Sequence, residues 1–115
     1  MHELSIAQNV LGIIRDKFTD KPVRISQINM KIGSLTCILP ESLTFCFDSI
    51  KKDSVVANSK LNIEILAGLG HCDYCRDDVS LEMLTTVCPQ CARPDLKIIQ
   101  GQELQITSVE IEEDV

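Results

Sequence analysis

The chain has 115 residues, enough for one ordinary domain or for a small core plus a metal-held module. Hydrophobic residues make up 44%, but aromatics only 3% and tryptophan is absent, so the core must be built from Ile, Leu and Val. The formal net charge of −6 disfavours binding to a phosphate backbone, and no apolar run approaches the ~20 residues that span a bilayer.

The elements follow one another clearly. Leu4, Ala7, Leu11, Ile14 and Phe18 recur at helical steps, which predicts an amphipathic helix over 4–18. Ser5 with Gln8 fits a capping box and places its start near Ser5; Asp20 and Pro22 end it. Val23, Ile25, Ile28, Met30 and Ile32 predict a strand whose phase slips between Ile25 and Ile28, as at a bulge or a late start. Pro40 and Glu41 open a second helix with an apolar stripe of Leu43, Cys46, Phe47 and Ile50. Leu61, Ile63 and Ile65 alternate with Asn62 and Glu64 as a second strand. Gly68 and Gly70 form a hinge-like exit into a polar segment over 71–95, which lacks the apolar residues to fold without a staple. Strand character returns at Leu104, Ile106, Val109 and Ile111, and the chain ends in an acidic tail. The expected fold is α+β: two helices packed on a three-stranded sheet, with an inserted four-cysteine module. The domain boundaries expected are 1–68 together with 97–115 for the core and 69–96 for the insertion.

Two tight pairs, Cys72-Asp73-Tyr74-Cys75 and Cys88-Pro89-Gln90-Cys91, fill that segment. Two facing Cys-x-x-Cys turns supply four thiolates in tetrahedral array, the donor set of a closed structural zinc site. A redox reading of one pair leaves the other unexplained. Iron uses the same donors, but such turns usually carry glycine after the second cysteine, where this chain has Arg76 and Ala92. Zinc is therefore the expected ion, and it contributes on the order of 10 kcal/mol to folding a module of this kind. The N-terminus shows no basic segment or signal-like apolar stretch, so a cytoplasmic location is expected, where paired cysteines ligate metal rather than oxidise. Cys37 and Cys46 stand apart, and Cys46 reads as a buried inert thiol.

Met1-His2-Glu3 offers a second metal site. The α-amine, the His2 amide nitrogen and the His2 imidazole close adjoining chelate rings, a set suited to square-planar Ni(II) or Cu(II). Glu3 adds an amide nitrogen or a carboxylate. The bland alternative is a solvated histidine near a chain end. Histidine is too large a second residue for ready removal of Met1, so retention of Met1 is expected.

These two features resemble the HypA/HybF family of nickel metallochaperones for [NiFe]-hydrogenase maturation. The resemblance runs from Met1-His2-Glu3-Leu4-Ser5 through Ile32-Gly33-Ser34-Leu35, Pro40-Glu41-Ser42-Leu43 and Phe45-Cys46-Phe47-Asp48 to the cysteine pairs. It closes with Gly101-Gln102-Glu103-Leu104 and Ser108-Val109-Glu110-Ile111-Glu112. The resemblance implies that His2 is the essential nickel ligand, assisted by Glu3 and backbone nitrogen at Met1, and that Cys72, Cys75, Cys88 and Cys91 hold structural zinc. It implies delivery of Ni(II) to the hydrogenase large subunit, in company with a maturation GTPase. In some organisms relatives also serve urease, which adds urease maturation factors as partners. The chain departs from the pattern in having only His71 beside the cysteines.

Two rival classes are weaker. A zinc-ribbon docking module without nickel delivery remains the alternative, for protein rather than nucleic acid. Residues 71–95 carry Arg76 and Arg93 against Asp73, Asp77, Asp78, Glu82 and Asp95. An enzyme is not expected, because four cysteines leave zinc no open position and no Gly-x-x-x-x-Gly-Lys phosphate loop is present. The chain alone is compatible with a monomer or a homodimer, and with exchange of the module between two copies.

Overall fold

The computed structural model describes residues 3–18, 23–52 and 56–113. Its elements are α1 (Glu3–Lys17), β1 (Val23–Gly33), a 3-10 turn (Ser34–Thr36), α2 (Pro40–Ile50), β2 (Lys60–Leu66), β3 (Gly68–Cys72), β4 (Asp77–Leu81), β5 (Lys97–Gln100) and β6 (Leu104–Glu113). Two three-stranded sheets result, ordered β2-β1-β6 and β4-β3-β5. The α+β fold expected from the sequence is present, and the cysteine segment carries a sheet of its own.

The chain divides into two compact units. The first comprises the described residues of Met1–Met30, Ile38–Ile63 and Ile106–Val115. Here α1 packs against α2. Ile6, Ala7, Val10, Leu11 and Ile14 form the buried face of α1. Leu4, expected in that stripe, is 47% exposed, because it lies at the rim of a face centred on Val10. The helix also starts at Glu3, so Ser5 lies inside it and does not cap it. Glu3 in the first turn, with Arg15 and Lys17 in the last, complements the helix dipole. In α2, Pro40 sits at the helix start and Leu43 and Phe47 are fully buried. Cys46 is half-buried rather than enclosed. Ile25, Ile28, Met30, Ile38 and Val56 are buried in the same unit. β1 begins at Val23, not late, and its burial changes phase between Ile25 and Ile28 as its spacing predicted. Asn29 in β1 donates to Ser108 Oγ in β6 at 2.9 Å and accepts from Asn62 Nδ2 in β2 at 3.0 Å, linking the three strands.

The second unit comprises Lys31–Cys37 and Glu64–Gln105, so it extends past 69–96 on both sides and takes in a separate segment. β3 pairs antiparallel with β4, from Gly68 opposite Leu81 to Cys72 opposite Asp77. It also pairs antiparallel with β5, with a shift between Leu69 and Gly70. Leu35, Cys72, Val79, Leu81, Cys88 and Leu96 form its small core. Val79, Leu81 and Leu96 are too sparse to read as elements along the sequence, but each is buried once β3 and β4 pair.

The glycines of this unit serve close approach rather than hinging. A Cβ on Gly68 would overlap the Leu81 carbonyl, and one on Gly70 would lie 2.9 Å from Leu96 Cδ2. A Cβ on Gly33 would overlap the Gly101 carbonyl, which accepts from the Leu35 N–H at 2.8 Å. No helix among the described residues is long and apolar enough to cross a membrane.

Candidate metal centre

The first cysteine pair closes the β3–β4 hairpin. Cys72 ends β3, and the turn runs through Cys75 and Arg76 into β4. The Arg76 N–H donates to the Cys72 carbonyl at 2.8 Å, and Arg76 takes a positive φ of 54°. The second pair repeats this device. The Ala92 N–H donates to the Cys88 carbonyl at 2.8 Å, and Ala92 has φ 60°. Both turns therefore need a left-handed residue after the second cysteine, the conformation glycine adopts most easily. Here arginine and alanine adopt it.

The two turns bring all four sulfurs together. Their Sγ atoms lie within 4.8 Å of one another. Cys72 Sγ is 3.6 Å from Cys91 Sγ, and Cys75 Sγ is 3.9 Å from Cys88 Sγ. These separations are nearly twice the ~2.05 Å of a disulfide. They bracket the ~3.8 Å sulfur–sulfur edge of a tetrahedron with zinc–sulfur bonds of ~2.3 Å. The donor set and its geometry fit a tetrahedral dication.

The thiols are electrostatically unequal. The Cys75 N–H donates to Cys72 Sγ at 3.4 Å. That bond, aided by the three neighbouring sulfurs and opposed by burial, lowers the Cys72 thiol to about 7. Burial, together with the neighbouring sulfurs, pushes Cys75 up to about 12. At Cys91 an Arg93 backbone hydrogen bond pulls downward, but burial and the Cys72 and Cys88 sulfurs leave the thiol raised. Cys72 therefore ionises more readily than Cys75 and Cys91, which resist. A bound dication relieves that conflict by replacing protons with shared positive charge.

His71 flanks the centre. Its Nδ1 is 2.8 Å from Asp78 Oδ1 and its Nε2 is 3.3 Å from Asp73 Oδ1. The Asp78 hydrogen bond, reinforced by both carboxylates and the Cys72 sulfur, raises its pKa above the ordinary value. The sequence showed His71 but not this pairing. The pairing follows from the hairpin register, which sets Cys72 opposite Asp77 and His71 opposite Asp78.

Of the expected nickel ligands, Glu3 lies in the first turn of α1, half-exposed. Met1 and His2 lie outside the described residues.

A family model described as hydrogenase/urease nickel incorporation, metallochaperone, hypA matches residues 1–111. The chain belongs to the HypA family. It is thus one of the nickel-incorporation metallochaperones, and its relatives act in hydrogenase maturation. It is 36% identical over 113 residues to hydrogenase maturation factor HypA of Trichodesmium erythraeum, covering 98% of this chain and 97% of that one. It is 38% identical over 115 residues to the HypA of Pelodictyon phaeoclathratiforme, covering 99% and 98%. The fold matches the solution structure of the Ni metallochaperone HypA from Helicobacter pylori with a TM-score of 0.67 at 20% identity, covering 99% of this chain and all of that one. A second HypA solution structure matches equally well, with a TM-score of 0.67 at 22% identity.

Proposed function

We propose that this chain binds Ni(II) through Met1, His2 and Glu3 and delivers it to the large subunit of [NiFe]-hydrogenase, while Cys72, Cys75, Cys88 and Cys91 hold a structural Zn(II). The observation that carries this reading is the family match beginning at residue 1 and running to 111, so that it includes the chelating terminus. The donor chemistry supports it independently. Amine, amide and imidazole nitrogens favour a square-planar ion such as Ni(II).

The two metals have different roles. Nickel is cargo: a terminal site on a short segment needs deprotonated ligands, so it releases its ion to a competing site or on acidification. Zinc, when bound, supplies a rigid cross-link between two turns. The chain's own residues do the rest. They close the hairpin, bury Cys72 and Cys88, and leave no open coordination position for catalysis, in keeping with a carrier rather than an enzyme.

The reading includes a maturation GTPase as partner, since this chain has no phosphate loop of its own. It also includes service to urease maturation factors where those are present, a cytoplasmic setting, and action as monomer or homodimer without nucleic acid or membrane.

Calorimetry with Ni(II) on untagged, zinc-loaded protein tests the proposal beside His2→Ala. About one nickel per chain in the parent and none in the variant is the expected result. Equal binding in both, or none in either, displaces the nickel site and leaves a zinc-held docking module as the account.

A further inference from the structure

The guanidinium of Arg93 lies over the ring of Tyr74, with Cζ 3.6 Å from the ring centroid. Tyr74 sits inside the first cysteine turn, and Arg93 follows the second by two residues. The Arg93 carbonyl accepts from the Cys88 N–H at 2.9 Å. One residue therefore holds the second turn through its backbone and reaches the first through its side chain. Tyr74 is 63% exposed, so its ring adds little to the small core.

We propose that Arg93 is a positioning residue for the bound metal: its stack on Tyr74 locks the two cysteine turns together and slows loss of the ion. The inference rests on the zinc reading above. Each short sulfur–sulfur edge, Cys72–Cys91 and Cys75–Cys88, joins one turn to the other. An ion leaves when the turns part, and the stack spans the same gap, so both break in one motion. Arginine suits the position because its planar cation stacks on an aromatic face, which lysine does less well. Its charge also opposes that of four thiolates around a dication, about −2 in sum.

The test follows zinc release from the full chain to the chromogenic chelator 4-(2-pyridylazo)resorcinol. Arg93→Ala and Tyr74→Leu are each expected to speed release about three-fold, the effect of an exposed cation–ring contact. The double variant should release no faster than either single one, because both remove the same contact. Arg93→Lys should recover part of the loss. In NMR spectra, the Arg93 Cδ protons should be shifted upfield by the ring and should lose that shift in Tyr74→Leu. Release rates unchanged in both single variants, or effects that multiply in the double variant, overturn the proposal. Elemental analysis separates the two readings. A parent chain with no zinc overturns both, whereas one zinc per chain with multiplying effects overturns the clamp alone.

Discussion

His71 Nδ1 and Asp78 Oδ1 lie 2.8 Å apart across the β3–β4 ladder, directly beside the cysteine cluster. The Asp78 carboxylate favours the imidazolium, and a zinc–thiolate centre of net negative charge pushes in the same direction. His71 should therefore titrate above the ordinary 6.5 in the zinc-loaded protein. The stabilisation is complete below that ordinary value and fades as pH rises through the raised one. NMR titration of the imidazole protons checks this. Asp78→Asn should bring the midpoint back toward 6.5, and a midpoint unmoved by the substitution rules out the pairing in solution.

Arg76 and Ala92 occupy left-handed positions that cost an ordinary residue about 1 kcal/mol. Ala92→Gly relieves that cost but loosens the unfolded chain by a similar amount, so its net effect should stay within about 0.5 kcal/mol. Ala92→Val adds a β-branched side chain to the same conformation and should destabilise the zinc-loaded protein by about 1–2 kcal/mol. Denaturant unfolding of the two variants side by side reads the difference. Equal stabilities mean the turn relaxes and the left-handed residue is not required.

Gly33→Ala should be among the most damaging single-methyl changes in the chain. Its new Cβ would meet the Gly101 carbonyl, and relief requires moving the Gly101 segment, whose carbonyl accepts from the Leu35 N–H. The Gly33 N–H itself donates to the Glu103 carbonyl at 2.8 Å, so displacement endangers both bonds. A loss of about 2–3 kcal/mol is expected, two backbone bonds' worth with some strain. Gly12→Ala is the control, since nothing lies within 4 Å of its added methyl, and it should stabilise α1.

Nickel affinity should be on the order of micromolar, about −8 kcal/mol. It should weaken steeply below pH ~6.5, where the imidazole and amine hold their protons. Titrations with Ni(II) at two pH values check the slope, and equal affinities contradict the nitrogen donor set. An uncleaved N-terminal tag, which removes the free amine, should abolish or alter binding.

Much of this was legible along the chain. Helical spacing marked α1 and α2, alternation marked β2, and the paired cysteines marked one four-sulfur set, because each signal repeats over a few residues. Leu4 fits the α1 stripe by spacing yet lies at its exposed rim, and Ser5 fits a capping box yet lies inside the helix, because helix boundaries depend on the residues they pack against. β3, β4 and β5, in and beside the polar segment, have no such signal. These short strands hold too few apolar residues to show a period.

What the sequence determined by itself is the inventory: an aliphatic core, two helices, and four cysteines at ligand spacing. The motifs that ally the chain with the HypA family are equally local. Tertiary structure decided the partnerships: His71 with Asp78, Cys72 with Cys91, and Arg93 over Tyr74. Period and spacing are properties of neighbouring residues. The pairings arise only when a hairpin closes and two turns meet, so they depend on distances that no local pattern encodes.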